Sequence, residues 1–169
     1  MSGATIAAEA GTLTLLAGGP AELLERCRPI LLAMGTNIFH LGPAGTGQVA
    51  KLVNGIMLHI GYAVALEGLK LAAAHGVSEE QIIALARVST GNSWVVEHWG
   101  HMDRVVEHHI QGPDTVVYKH MRRDIADALA AAKDSRTPMP ISGLVMEIYS
   151  DQIIERMTRL GKWPVKQNG

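Results

Sequence analysis

One uninterrupted helical pattern limits what this sequence can fold into. It runs from Thr46 to His75, about 30 residues, and would span roughly 45 Å at 1.5 Å per residue. From Val49 onward it is almost entirely apolar, so most of its circumference must be covered. The later helices of the same chain can cover only part of it, so a second subunit is expected to supply the rest. The pattern therefore predicts a mainly helical protein that forms a homodimer or a larger oligomer.

Shorter elements flank this helix in an unusual order. The stretches "TLTLLA" (Thr12–Ala17) and "NIFHLG" (from Asn37) have the β-branched and apolar character of strands, and a helix from Pro20 to the stop at Gly35 separates them. After the long helix the sequence predicts only helices, namely Ser78 to about Val88, Ser93–Ile110, Thr115–Ser135 and Ile141–Leu160. Two strands do not form a stable sheet alone. These two are therefore expected to belong to a larger sheet.

Composition and charge exclude several classes of protein. The net charge is −1 and the pI about 6.7, so the chain lacks the positive charge that nucleic-acid binding requires. No apolar run approaches the roughly 18 uncharged residues of a membrane span, and no basic region precedes the apolar N-terminal residues, as it would in a signal peptide. Cys27 is the only cysteine, which excludes an intrachain disulfide and a cysteine-based zinc site. We therefore expect a cytoplasmic protein with no nucleic-acid and no membrane partner.

The histidine-rich segment "EHWGHMDRVVEHH" is a candidate metal site. Glu97 and His101 are four residues apart, as ligands on one helix face can be, and His98, His108 and His109 lie nearby in the sequence. No third ligand has a fixed place. A solvated helix face is therefore the favoured interpretation, and no metal is expected.

The segment "GPAGTGQVAKLVNG" (Gly42–Gly55) admits three interpretations. It matches a phosphate loop poorly, because Lys51 lies four residues beyond Gly47 and Ala50 stands where a dinucleotide fingerprint has its third glycine. It can also be an ordinary loop leading into a helix with a solvent-facing lysine. The third interpretation is catalytic, because Lys51 and Asn54 share one face of an apolar helix, where polar groups cost desolvation. A lysine there can protonate a developing alkoxide while the amide holds the oxygen or the lysine in place.

Five residues of this segment, Gly42, Gly45, Gly47, Lys51 and Asn54, resemble the start of the catalytic helix in the β-hydroxyacid dehydrogenases. That family includes 3-hydroxyisobutyrate dehydrogenase and tartronate semialdehyde reductase, with 6-phosphogluconate dehydrogenase a more distant relative. The stretches "MSGATIAAEAGTLTLLAGG", "STGNSW" and "RRDIADALAAAKDSRTPMPI" resemble further segments of the family in the same order. The resemblance therefore covers nearly the whole chain.

The resemblance implies a fold. The family joins an N-terminal Rossmann domain, with its G-x-G-x-x-G cofactor loop, to an all-helical C-terminal domain that begins with one long helix. This chain resembles the second part, a 6-phosphogluconate dehydrogenase C-terminal-like domain. Residues 1–41 are expected to be a remnant of the Rossmann domain (substrate loop, strand, helix, strand), and residues 42–169 the helical dimerisation and catalytic domain. The two strands would be the last of a missing Rossmann sheet, in a fragment or the product of a truncated gene.

The resemblance also implies roles for single residues at the substrate. Lys51 matches the catalytic lysine, and Asn54 matches the neighbouring asparagine that contacts lysine and substrate. Ser2 and Gly3 match a Ser-Gly pair that binds the substrate carboxylate through a hydroxyl and backbone donors. Gly55 stands where many relatives have a second amide, which removes one possible hydrogen bond to the substrate.

Cofactor contacts are implied less directly. Arg123 and Asp124 occupy the place of a Lys-Asp pair near the nicotinamide, and arginine keeps the charge of that lysine but not its compact geometry. Ala4 replaces a frequent second glycine of the substrate loop, and Val116 falls where relatives often carry a phenylalanine. NAD or NADP is the cofactor that the family implies for a full-length parent. No cofactor is expected to bind this chain alone, because it has no complete glycine fingerprint.

Two functions of different classes remain open from the sequence. The first is the catalytic and dimerising part of an NAD(P)-dependent oxidoreductase that interconverts a small 3-hydroxy acid and its semialdehyde. The second is a non-enzymatic helical module that keeps the family fold for oligomerisation, with Lys51 a relic. Imine reductases share the architecture but usually lack the lysine, so they rank below both.

Overall fold

The computed structural model describes residues 1–109 and 116–163, and every structural statement below concerns those residues. Helices dominate, and the two strands are short, as predicted. The elements are α1 (Ala4–Glu9), β1 (Thr14–Ala17), α2 (Ala21–Leu32), β2 (Asn37–His40), α3 (Thr46–Ala74), α4 (Glu79–Arg87), α5 (Trp94–Glu97), α6 (His101–His109), α7 (Val116–Asp134) and α8 (Pro140–Arg159).

The chain divides into two compact units, Met1–Gly55 and Ile56–Gly169. In the first unit β1 and β2 pair in parallel, with Thr14 opposite Asn37 and Ala17 opposite His40. Helix α2 is the crossover between them, which is the usual connection for parallel neighbours. The first part of α3 also belongs to this unit.

The N-terminal segment differs from the prediction. It was expected to be a loop, whereas Ala4–Glu9 forms helix α1. The cause is local, because "ATIAAE" is rich in good helix formers and is flanked by Gly3 and Gly11, whose φ angles are +125° and +63°. Before this helix, Ser2 pairs with Thr14 in an isolated antiparallel bridge, with N–O distances of 2.8 and 3.0 Å.

The second unit packs the remainder of α3 with α4–α8. Its hydrophobic core is made by residues of five helices, α3 and α5–α8, with α7 against α8 as a principal pair. The largest fully buried side chains are Tyr62, Ile125, Tyr149, Ile153 and Met157. Tyr62 comes from α3, so the long helix contributes one face to this core, as a central helix should.

Helix ends in this unit follow the sequence signals in one place and depart from them in another. Gly76, with φ +76°, ends α3, and Ser78 with Gln81 forms the capping box of α4, as predicted. The single helix expected over Ser93–Ile110 is wrong, because α5 and α6 are separated by a turn that contains Gly100, with φ +86°. Residues 110–115, which include the predicted end at Ile110 and the predicted start at Thr115, lie outside the described residues.

Helix α3 is only partly covered. Tyr62, Leu66 and Leu69 are buried, whereas Met57, Val64 and Leu71 are each more than half exposed. Among the described helices it alone is long and apolar enough to cross a membrane, with a mean hydropathy of 1.5 over an 18-residue window that is 28% buried. Length and composition of one helix are weak evidence for such a span, since core helices of soluble proteins share them.

Candidate active site

The glycines before Lys51 belong to the connection from β2 to α3, where α3 begins against the end of β1. Gly42 and Gly45 have φ angles of +110° and +95°, which permit the turn into the helix. A Cβ on Gly47 would lie 2.4 Å from the carbonyl oxygen of Leu16, and one on Gly18 would lie 2.5 Å from that of Pro43. The first turn of α3 thus packs directly on the end of β1.

This close packing bears on the phosphate-loop interpretation. A phosphate needs backbone N–H groups that converge on open space in front of the glycines. Gly47 already has a structural role, because a Cβ there would clash with the Leu16 carbonyl. Its presence therefore needs no phosphate to account for it.

Three of the predicted substrate residues belong to the first unit and approach one another there. Lys51 and Asn54 lie on α3, and the side-chain amide of Asn54 donates a hydrogen bond of 3.3 Å to the hydroxyl of Ser2. Ser2 is itself held by its backbone bridge to Thr14. Partial burial and the nearby charge of Lys51 lower the pKa of the Met1 amino group, so the lysine lies near the residue that precedes Ser2.

Gly3 is constrained by its neighbours. Its φ of +125° is unfavourable for other residues, and a Cβ there would lie 2.3 Å from the Cβ of Ala7. A glycine is therefore required for the backbone after Ser2 to enter α1.

The side chain of Val116, which was expected to alter the pocket wall, lies outside the described part of the chain.

The predicted cofactor pair lies on α7 in the second unit. Arg123 is exposed, with its Nε 3.7 Å from the carboxylate of Asp127. Asp124 turns toward α3, where its Oδ2 lies 3.7 Å from the Nε2 of His59. Consecutive helical residues do not face the same way, so the two members of the pair have different surroundings.

Sequence reasoning missed two residues beside Asp124. His59 is buried on α3, and its Nδ1 lies 3.0 Å from the hydroxyl of Tyr149 on α8. The only sequence signal was an isolated histidine in an apolar helix. Its partner stands 90 residues away, a relation that no local pattern encodes.

A second polar cluster, which we call the Arg156 network, consists of Arg156, Asp103, Glu79, Tyr62 and Trp99. The guanidinium of Arg156 donates to both carboxylates, at 2.7 Å to Asp103 and 2.8 Å to Glu79. The Tyr62 hydroxyl donates to Asp103 at 2.6 Å, and the Trp99 indole donates to Glu79 at 2.7 Å. The network ties α3, α4, α6 and α8 together and is structural.

The charges in this network are compensated. Burial alone would raise the pKa of Asp103, but the hydrogen bonds from Arg156 and Tyr62 outweigh it, and the pKa is lowered. Hydrogen bonding to Arg156 is the main cause of the lowered pKa of Glu79. Burial, followed by the charge of Asp103, raises the pKa of Tyr62, so its hydroxyl remains a donor.

In the histidine-rich segment the described histidine rings contact a tryptophan ring and are not arranged as metal ligands. Trp94 stacks on His98 with ring centroids 4.4 Å apart, and His101 meets the same indole edge-on at 5.1 Å. Within residues 1–109 and 116–163 no three metal-ligating side chains converge. The side chains of His108 and His109 lie outside the described residues.

Comparison with known proteins identifies the family. Residues 45–159 match the family model described as the NAD-binding domain of NADP-dependent 3-hydroxyisobutyrate dehydrogenase. Residues 1–42 match the model of the NAD binding domain of 6-phosphogluconate dehydrogenase. The chain belongs to the β-hydroxyacid dehydrogenase family.

Named relatives of this dehydrogenase family agree with the family models. The chain is 36% identical over 152 residues to the NAD-dependent L-serine dehydrogenase of Pseudomonas aeruginosa, covering 88% of this chain and 51% of the relative. It is 34% identical over 156 residues to the 3-hydroxyisobutyrate dehydrogenase of the same organism, covering 89% and 51%. This chain therefore spans about half the length of the curated relatives it matches.

A solved structure supports the fold. The 3-hydroxyisobutyrate dehydrogenase of Mycobacterium tuberculosis, in a structure with L-serine, aligns with a TM-score of 0.71 and 27% identity, covering 89% of this chain and 53% of that one. The helical architecture predicted from the resemblance is confirmed. The relatives are dehydrogenases of small hydroxy acids, which places this chain among oxidoreductase sequences.

Proposed function

We propose that this chain forms the catalytic-lysine part of an NAD(P)-dependent oxidoreductase that interconverts a small 3-hydroxy acid and its semialdehyde. The observation that carries the proposal is the hydrogen bond from Asn54 to Ser2, which joins candidate residues 52 positions apart in the sequence. Asn54 is exposed and Ser2 is half-buried, so both side chains remain accessible to a polar substrate that would contact them together.

The proposed roles follow from the chemistry of each side chain. Lys51 donates a proton to the developing alkoxide during reduction and accepts it during oxidation. Asn54 holds the reacting oxygen or the lysine, and Ser2 with the backbone at Gly3 binds the carboxylate. Names of the relatives suggest L-serine and 3-hydroxyisobutyrate as the first substrates to assay.

The cofactor requires more than this chain offers. The glycine segment before Lys51 does not complete a dinucleotide fingerprint, because Ala50 stands where the third glycine would be. The residues of this chain account for the proton transfer but not for binding the cofactor, so we infer that the chain alone is inactive. Within the same proposal, Arg123 and Asp124 would meet the nicotinamide end of a cofactor that a Rossmann domain holds.

The test is a chimera that joins this chain to the dinucleotide-binding half of the Pseudomonas aeruginosa L-serine dehydrogenase. Lys51→Ala is expected to lower kcat by about 10²-fold, the scale of lost general acid–base catalysis. Lys51→Arg should not restore it, because a guanidinium keeps its proton at any working pH. Lys70→Ala is the matched control, since Lys70 lies on the same helix and pairs with Glu155. Near-normal turnover by the Lys51→Ala chimera would refute the role of Lys51 as proton donor and acceptor.

A second candidate function is supported by the surface of α3. Met57, Val64 and Leu71 recur every seven residues and are all exposed, which forms an apolar stripe along one side of the helix in the second unit. We propose that a second copy of this chain covers the stripe, as the resemblance to a family of paired helical domains suggests. A non-enzymatic oligomerisation module would keep this stripe without needing Lys51, so the chimera assay separates the two functions.

A cytoplasmic location stays a prediction.

A further inference from the structure

His59 is a buried polar residue that the proposed chemistry does not use. Its side chain is 5% exposed, inside a helix whose neighbours are almost all apolar. Burying an imidazole is unfavourable unless its ring nitrogens find partners. Both do, because Nδ1 faces the Tyr149 hydroxyl at 3.0 Å and Nε2 faces the Asp124 carboxylate at 3.7 Å.

The two partners select one tautomer of the ring. If Nδ1 carried the proton, it would donate to Tyr149, and the lone pair of Nε2 would face a carboxylate, which is repulsive. If Nε2 carries the proton, the Tyr149 O–H donates to Nδ1 and the N–H dipole points at Asp124. Burial, followed by the charge of Asp124, raises the pKa of Tyr149, so the phenol keeps the proton that this arrangement needs.

We propose that His59 is a positioning residue that orients the Asp124 carboxylate through Nε2–H, with its tautomer fixed by Tyr149. The separation of 3.7 Å is longer than a hydrogen bond, so the contact is electrostatic. His59 and Tyr149 are rigidly placed, whereas the Asp124 side chain is 41% exposed. The buried pair therefore acts as the fixed part, and the half-exposed carboxylate is the part that it orients.

This arrangement matters if Asp124 contacts a cofactor or substrate, a role that rests on the proposed function. A free aspartate at the surface samples several χ1 rotamers, and a ligand that needs one of them must stop this motion. A carboxylate already oriented by His59 avoids that loss. The three side chains come from α3, α7 and α8, so the core of the second unit sets the orientation.

The first test needs no variant and no cofactor. In the ¹⁵N-histidine-labelled chain, the two ring ¹⁵N shifts of His59 report which nitrogen is protonated at neutral pH. The Nε2–H tautomer is expected, and Tyr149→Phe should shift the ring toward a mixture of tautomers because Nδ1 loses its donor. A dominant Nδ1–H tautomer in the unaltered chain would overturn the proposal.

The second test uses a matched pair of amides. The Nε2 of glutamine overlays the imidazole Nε2, whereas the amide of asparagine reaches only the Nδ1 position. Three-bond couplings to the Asp124 carboxyl carbon should indicate the same χ1 rotamer in the unaltered chain and in His59→Gln, and a different rotamer distribution in His59→Asn. Unchanged couplings in a folded His59→Asn chain would overturn the proposal.

Kinetics of the chimera then separate this inference from the proposed function. His59→Asn should lower kcat/KM on the order of tenfold, as expected for one lost contact to a charged group, with His59→Gln largely restoring it. If Lys51→Ala is fully active while the tautomer and rotamer results hold, the proposed function fails and the positioning contact stands. If both histidine variants match the unaltered chimera, Asp124 needs no positioning and the inference fails.

Discussion

Removing the guanidinium of Arg156 should test whether the Arg156 network stabilises the second unit. Its side chain is only 4% exposed and donates to Asp103 and Glu79. Arg156→Met keeps the apolar length of the side chain and removes its charge and donors. After this change the Asp103 carboxylate, 8% exposed, keeps one of its hydrogen bonds, the one from Tyr62.

The expected cost follows from what remains unpaired. Removing one partner of a buried ion pair typically costs 3–5 kcal/mol, because the other charge stays buried. Here Tyr62 still donates to Asp103, while Glu79 keeps Trp99 and is accessible to water. Both facts reduce the penalty, so we expect a loss of about 3 kcal/mol in the free energy of unfolding at pH 7.

The assay is urea denaturation followed by tryptophan fluorescence. All three tryptophans of the chain lie within Ile56–Gly169, so their signal reports the second unit. Arg159→Met is the matched control, because Arg159 is 47% exposed and makes a single 3.4 Å contact with Glu79, worth about 0.5 kcal/mol or less. Combining Arg156→Met with Asp103→Asn should cost clearly less than the sum of the two single changes. A loss below about 1 kcal/mol for Arg156→Met, or strict additivity, would refute the argument.

Three further outcomes are expected. The pKa values of Asp103 and Glu79 lie below those of the unfolded chain, so the stability that they contribute is complete above about pH 5 and is lost as the pH falls through the lower folded values. Asp103→Asn should therefore weaken the dependence of the free energy of unfolding on pH in the acid range. Calorimetry of the chain alone with millimolar NAD or NADP should show no saturable heat, and micromolar binding would mean that the glycine segment has been misjudged. Light scattering at low micromolar concentration should give more than the 18.1 kDa of one chain, with Val64→Glu shifting the protein toward monomer; a stable unaltered monomer would contradict the proposed pairing.

Local signals in the sequence predicted the elements that depend on local chemistry. The end of α3 at Gly76 and the capping box of Ser78 with Gln81 are set within a few residues, and both were predicted. The turn at Gly100 was missed because the apolar periodicity continues across it, so only tertiary packing decides between one helix and two. Helix α1 was missed because the resemblance to a substrate loop outweighed the helix propensity of its alanines.

In the candidate site, too, local spacing was predicted and contacts between distant residues were not. Lys51 and Asn54 were found because they stand three residues apart, which is one helix face. The partner of Asn54 was named only through the resemblance, since Ser2 lies 52 residues away. His59 and Tyr149 were not assigned a role, because a contact across 90 residues depends on how two helices pack.

The polar residues of α3 also explain how an almost uniformly apolar helix finds one position in its core. Apolar side chains alone specify register weakly, whereas a buried polar group with a single partner penalises every other register. His59 and Tyr62 are one turn apart on α3, and their networks reach α8 at Tyr149 and Arg156, two turns apart. A slip of α3 by one turn would separate the buried His59 imidazole from Tyr149 and the buried Tyr62 phenol from Asp103 at once. His59, which orients Asp124 through Nε2, also contributes through Nδ1 one of the contacts that hold α3 against α8, so changes at His59 should affect the candidate site and the stability of the second unit together.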